Sequence, residues 1–353
     1  MDHSLMDPGS GARLREYRPS DAAAFAAADD GRFALPDTGL STGSGWVIAD
    51  AETDEPLGGA GLDLVVPSRG QAEATVWVAP GARRRGLGTA ALRALSGYAF
   101  GTGLDRLEVL THWENPAAQR VALAAGFTRE GVRRGAAPNP GGGRDDLVVW
   151  TRLAGDPDAP TTRLLPDLPG GELTDGVVTL RPLGVRDMDF YTELHSLPDV
   201  VATSVPPVLK AADEIRRRCY RAEAQWLAGS SADLVILDTA TGTPAGEISL
   251  YYQEPPLAQA MIGYSTLPAF RGRGLTTRAA QLVSLWAFAE TGIVRLIAGA
   301  LPTNIGSQRV LEKAGFQREG YMRSRLPGAD GTRNDDVQYV LLAGDLLAQA
   351  SSG

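Results

Sequence analysis

NPAAQRVALAAGFTREG, residues 115–131, aligns without a gap on NIGSQRVLEKAGFQREG, residues 304–320. RDDLVVWTRLAGD (144–156) aligns on RNDDVQYVLLAGD (333–345), again with matched positions 189 apart. Upstream, VAPGARRRGLGT (78–89) pairs with TLPAFRGRGLTT (266–277), and Pro56 and Gly58 pair with Pro244 and Gly246, at a spacing of 188. One register held over about 100 residues means two tandem copies of one structural unit. LREYRPSD (14–21) meets LRPLGVRD (180–187) at a spacing of only 166, so the second copy has gained 22 residues, placed within 190–240.

The chain length of 353 residues agrees with two domains of roughly 150 residues each. Between the copies, AGDPDAPTTRLLPDLPGGELTDG (154–176) is rich in Pro, Gly and Asp without apolar periodicity. The expected organisation is a first domain over 12–156, a linker over 157–173 and a second domain over 174–346. With 43% hydrophobic and 22% charged residues, both halves have enough apolar side chains for a core, which excludes a disordered chain.

Cys219 is the only cysteine, so a disulfide framework and a Cys-rich metal site are excluded and no metal is expected. The net charge of −8 argues against nucleic acid as a partner, since phosphate backbones are held by clustered Lys and Arg. No run approaches 18 apolar residues, and MDHSLMDPGSG has acid, Pro and Gly where a leader needs apolar residues. These features predict a cytoplasmic protein with no membrane partner, a monomer or homodimer.

Each copy reads as strand, helical region, three strands, Gly-rich turn, helix, strand, helix and last strand, an α/β (α+β) pattern. Arg83-Arg84-Arg85-Gly86-Leu87-Gly88-Thr89 opens a helix after the fourth strand, and Arg271-Gly272-Arg273-Gly274-Leu275-Thr276-Thr277 does so in the second copy. Main-chain N–H groups at such a turn, added to the positive end of the helix dipole, suit a pyrophosphate. A dinucleotide fold would place this turn after the first strand, which excludes that alternative.

On these residues the chain resembles the GNAT superfamily of acyl-CoA-dependent N-acyltransferases, twice over. The family's [Q/R]-x-x-G-x-[G/A] loop is matched by Arg83, Gly86 and Gly88, and by Arg271, Gly274 and Thr276. Its N-x-x-[A/S] helix ending in G-F is matched by Asn115, Ala118, Gly126 and Phe127, and by Asn304, Ser307, Gly315 and Phe316. The second copy is similar to the ribosomal-protein Nα-acetyltransferase branch. The resemblance implies two mixed, mostly antiparallel sheets, each split in a V between its fourth and fifth strands. It also implies acetyl-CoA as co-substrate, held by the two loops together with Asn115 and Asn304, and direct attack by an amine acceptor. The oxyanion donor it implies is a main-chain N–H near Val78 or Thr266. Thr276 in place of a smaller residue is expected to narrow the approach to phosphate.

The tyrosine that many members carry seven residues after the Asn is Ala122 in one copy and Leu311 in the other. Ser307 is therefore the expected proton donor to the thiolate, and Ala118 cannot replace it. Glu247 is the candidate base in the second copy, with Gly59 at the matching position of the first. The first copy offers Glu73 on its fourth strand and His112 just before Asn115, the latter an imidazole suited to proton transfer near neutrality. His195 stands in no recognisable pattern. The expected function is acetyl transfer to a primary amine of a small metabolite or a protein N-terminus, with the second copy active. The alternatives are a non-catalytic acetyl-CoA sensor or a two-domain enzyme like mycothiol synthase.

Overall fold

The computed structural model describes residues 10–27, 45–139 and 141–345. The chain forms two compact units, Met1–Thr162 and Arg163–Gly353.

In the first unit the elements are β1 (Ala12–Glu16), α1 (Ala22–Ala27), β2 (Gly45–Asp50), β3 (Pro56–Val66) and β4 (Gln71–Val78), then α2 (Leu87–Gly101), β5 (Arg106–His112), α3 (Pro116–Ala124), β6 (Thr128–Pro138) and β7 (Arg144–Leu153). They build a seven-stranded sheet in the order β1-β2-β3-β4-β5-β7-β6. The second unit has β8 (Leu173–Thr174), β9 (Val178–Pro182), α4 (Met188–Ser196), α5 (Pro198–Thr203), α6 (Ala212–Leu227), β10 (Ser231–Asp238), β11 (Thr243–Glu254) and β12 (Gln259–Thr266). It continues with α7 (Leu275–Glu290), β13 (Arg295–Ala300), α8 (Ile305–Lys313), β14 (Gln317–Pro327) and β15 (Arg333–Leu342). Its eight strands run β14-β15-β13-β12-β11-β10-β9-β8.

Both sheets are antiparallel except at one seam. β4 and β5 pair in parallel only over Gln71–Glu73 and Arg106–Glu108, and β12 and β13 only over Gln259–Met261 and Arg295–Ile297. Beyond those three residues the strands part, which is the expected V. The third strand reaches the seam through a close approach that needs glycine. A Cβ on Gly58 would lie 2.2 Å from the Trp77 carbonyl oxygen, and one on Gly246 2.4 Å from that of Ser265. Gly58 sits at a register shift between β2 and β3, and Gly246 at one between β10 and β11.

Helix α2 buries Leu87, Ala91, Leu92, Leu95 and Ala99 on one stripe, and α7 buries Leu275, Ala279, Val283, Trp286 and Ala287, the spacing of an amphipathic helix. Each fully buried leucine contributes roughly 2 kcal/mol of transfer free energy. In the second unit α7 and α8 cover one sheet face, and α4 and α6 close the other through Tyr191, Ile215, Cys219, Ala222 and Val235. These helices lie between β9 and β10, where the extra residues of the second copy were expected. Most of the first copy's helical region, residues 28–44, falls outside the described residues.

Two expectations need correction. Each unit ends in two strands rather than one, because β6 and β14 also join the sheet. Their sequences, TREGVRRGAAP and QREGYMRSRLP, are polar and mostly exposed, so an edge strand carries no apolar alternation to reveal it. The stretch 157–173 is also less free than its composition predicts. Asp158 pairs with Arg93 and Arg152, and the Thr161 hydroxyl donates to the Phe127 carbonyl at 2.9 Å. Leu165 and Leu168 enter the core of the second unit, where Trp226 Nε1 donates to the Pro166 carbonyl at 2.9 Å.

Candidate active site

The two V-shaped seams are bounded by the same backbone device. Gly86 and Gly274 cap α2 and α7 with φ of 79° and 78°, a left-handed conformation that favours glycine. The first helical bonds run from Ala90 N–H to the Gly86 carbonyl and from Arg278 N–H to that of Gly274. The N–H groups of Leu87, Gly88 and Thr89, and of Leu275, Thr276 and Thr277, precede those bonds and have no carbonyl one turn back. A Cβ on Gly86 or Gly274 would meet nothing within 4 Å, so each turn opens onto free space. Such a cradle fits an anionic phosphate.

Arg83 and Arg271 fold back on the preceding strand, while Arg85 lines the cavity beside Gly86 and Thr89. Arg83 Nε donates to the Val78 carbonyl and Arg271 Nε to that of Thr266, each at 3.0 Å. Arg271 also pairs with Asp199. Arg85 approaches Asp50 at 3.8 Å, and its counterpart Arg273 pairs with Asp238 at 2.6 Å. Arg84 has a φ of 63°, where the second copy has Gly272 at 74°. Thr276 does not narrow the cradle as its bulk suggests. Its hydroxyl shares a 2.7 Å hydrogen bond with that of Thr266, turning the side chain toward the strand.

Strand alternation fixes the main-chain donors. Leu267 N–H bonds the Ala245 carbonyl and Ala79 N–H bonds the Leu57 carbonyl, both toward the third strand. The preceding N–H groups, those of Thr266 and Val78, therefore point to the opposite edge, into the seam. Across the seam, Asn115 and Asn304 cap α3 and α8, accepting from Ala118 N–H at 3.2 Å and Ser307 N–H at 3.0 Å.

In the second unit Glu247 lies on β11, opposite Val235 and Ser265, on the sheet face covered by α4 and α6. His195 of α4 sits over it, with Nε2 2.9 Å from Glu247 Oε1; both side chains are buried. The approach is close but off-line for a hydrogen bond. The His195 ring packs on Tyr191 with centroids 4.3 Å apart. Burial pushes the Glu247 carboxyl up, but His195, Lys210 and Tyr191 outweigh it and hold the group below the usual glutamate range. No sequence pattern pointed to His195, because its partner lies on a strand beyond two further helices.

The opposite sheet face carries a second pair. Tyr264 of β12 shares a 3.0 Å hydrogen bond with the Ser307 hydroxyl and donates to the Ser307 carbonyl at 3.1 Å. Burial raises the Tyr264 phenol. Comparing the copies could have revealed this residue, since the matching positions are Val76 and Ala118. The seam between β12 and β13 thus passes between Glu247 on one face and Ser307 with Tyr264 on the other.

The first unit has neither pair. Gly59 stands where Glu247 is, and His112, at the end of β5, has Nδ1 3.7 Å from Asp145 Oδ2. Among the described residues no group of three or more His, Cys, Asp or Glu is placed to hold a metal ion, and no helix is long and apolar enough to cross a membrane.

Comparison with known proteins agrees with this geometry. The "Probable N-acetyltransferase YjcK" of Bacillus subtilis (strain 168) is 47% identical over 70 residues, 20% of this chain and 39% of the relative. The "Uncharacterized N-acetyltransferase YnaD" of the same organism is 36% identical over 81 residues, 23% of this chain and 47% of the relative. The chain thus spans less than half the length of either relative. A solved GNAT-family acetyltransferase from Bacillus anthracis is 24% identical with a TM-score of 0.43, covering 48% of this chain and 98% of that one. The model of the acetyltransferase (GNAT) domain matches residues 15–128 and again 178–317, so both seams lie inside matched regions and the chain belongs to the GNAT acetyltransferase family.

Proposed function

We propose that the protein is an acetyl-CoA-dependent N-acetyltransferase whose second unit performs the transfer, while the first holds acetyl-CoA without turning it over. One observation carries this reading: the second seam has Glu247 with His195 on one sheet face and the Ser307–Tyr264 hydroxyl pair on the other, where the first has Gly59, Ala118 and Val76 at the matching positions. Such an arrangement suits an amine entering from the side of α4 and α6 and a thiolate leaving toward α8.

Leu275, Thr276 and Thr277 offer N–H groups to the coenzyme pyrophosphate, as Leu87, Gly88 and Thr89 do in the first unit. Glu247, ionised at neutral pH, takes a proton from the amine as the N–C bond forms. The Thr266 N–H faces the oxyanion that develops on the acetyl carbonyl. As the C–S bond breaks, Ser307 gives its proton to the thiolate and regains one from solvent, while Glu247 returns its own to solvent. Tyr264 holds the Ser307 hydroxyl in place.

The test is thiol release from acetyl-CoA over a panel of primary amines, using the full chain. Gly274→Val should abolish turnover and Gly86→Val should leave most of it. The opposite ranking would assign the chemistry to the first unit, and no release with any amine would leave a binding module.

A further inference from the structure

A groove of 240 Å³ on the second unit is lined by Lys210, Glu214, Arg217, Arg218, Arg221 and Gln225. Four cations face one carboxylate there, in a chain whose net charge is −8. Lys210 and Arg217 make no ion pair with any described residue. Arg218 is fixed by Asp233 and by the Tyr251 hydroxyl at 2.9 Å, both through Nη2, and its guanidinium lies over the Tyr251 ring at 5.5 Å. Arg218 Nε is buried without a hydrogen-bond partner.

The groove adjoins the candidate base. Asp233 is opposite Ser249 and Tyr251 follows on the same strand, so Arg218 is anchored to the sheet face that carries Glu247. Along a strand, two residues on one face are about 7 Å apart. Lys210 also acts on Glu247, adding to the lowering that His195 begins against burial. A guanidinium with a free edge beside unpaired cations recognises carboxylate or phosphate oxygens. The volume is below the roughly 300 Å³ at which pockets take drug-sized ligands, so it suits a small anionic group rather than a peptide.

We propose that the acceptor is a small primary amine bearing a carboxylate or phosphate several bonds from its nitrogen, with the anion in the groove of Lys210, Arg217 and Arg218 and the amine at Glu247. The inference rests on the second unit being the acetyltransferase and names its substrate class.

The experiment compares 6-aminohexanoate, 4-aminobutyl phosphate, hexylamine and cadaverine as acceptors for the full-length protein. The two anionic amines should have kcat/KM values roughly 10- to 100-fold above hexylamine, the scale of one or two hydrogen bonds to a charged group. Whichever anion ranks higher identifies the source. Lys210→Glu with Arg217→Glu should reverse the order and favour cadaverine. Equal values for all four amines, or an order the double variant leaves unchanged, would overturn the substrate class while preserving the acetyltransferase reading. If no amine is acetylated, calorimetry of 6-aminohexanoate on the CoA-loaded protein still decides: binding lost in the double variant supports the groove, and no binding to the wild type refutes it.

Discussion

The two units share one seam and differ in what lines it. Both have a glycine-capped helix with three unpaired N–H groups, an Asn cap across the split and a main-chain N–H turned into it. Those parts belong to the backbone and survive wide change of side chains. The proton-handling parts are side chains, and they are present on one side only: Glu247 with His195 and Ser307 with Tyr264, against Gly59, Ala118 and Val76. Duplicated units can therefore keep a shared backbone geometry while the side chains around it diverge.

Glu247→Ala should break the comparison most sharply. Turnover should fall roughly 10²- to 10⁴-fold with acetyl-CoA affinity nearly unchanged, while His112→Ala should have a mild effect. Steady-state kinetics would show the reverse ranking if the first unit were the catalyst. Next, calorimetry should find two acetyl-CoA molecules per chain. Gly86→Val should weaken the first site by about tenfold or more by filling its cradle, and an unchanged isotherm with the second site disabled would remove that site. Ser307→Ala should slow turnover roughly tenfold, and Tyr264→Phe should add little to it in the double variant, since both act on one proton. Additive losses would separate them.

A smaller effect lies in the pH profile. The Glu247 carboxyl is held low, so its stabilising contribution is complete above the unfolded value of about 4.3 and is lost as pH falls through the folded value. His195→Ala removes a contact that lowers the carboxyl and leaves burial, so the acid limb of kcat/KM should move upward; an unmoved limb would mean that His195 does not act on the base. The smallest effect is local. Arg84 occupies a left-handed conformation where the second copy has Gly272, and Arg84→Gly should stabilise the first unit by about 1 kcal/mol in urea unfolding.

Much of this was legible in residue order. The 188–189 spacing announced two copies, and the turns at 83–89 and 271–277 marked two glycine-capped helix starts, because a left-handed cap and a helix start depend on neighbouring residues. Asn115 and Asn304 were readable as caps for the same reason. Glu247 and Ser307 stood out only by contrast between the copies. The strands β6 and β14 escape a reading of residue order because polar edge strands lack a pattern, and the contacts of the linker 157–173 escape it because its few apolar residues have no period.

By itself the sequence determined the duplication, the seam-bearing fold and the glycine- and Asn-capped helix starts beside the seam, all of which follow from short-range backbone preferences and a repeated apolar period. Only the tertiary structure decided that His195 sits on Glu247 and that Tyr264, 43 residues from Ser307, holds its hydroxyl. The turning of Thr276, Arg83 and Arg271 toward the strand was decided there too. Those contacts join side chains from separate elements, and their distances are set by how helices and strands pack rather than by anything encoded next to them in the chain.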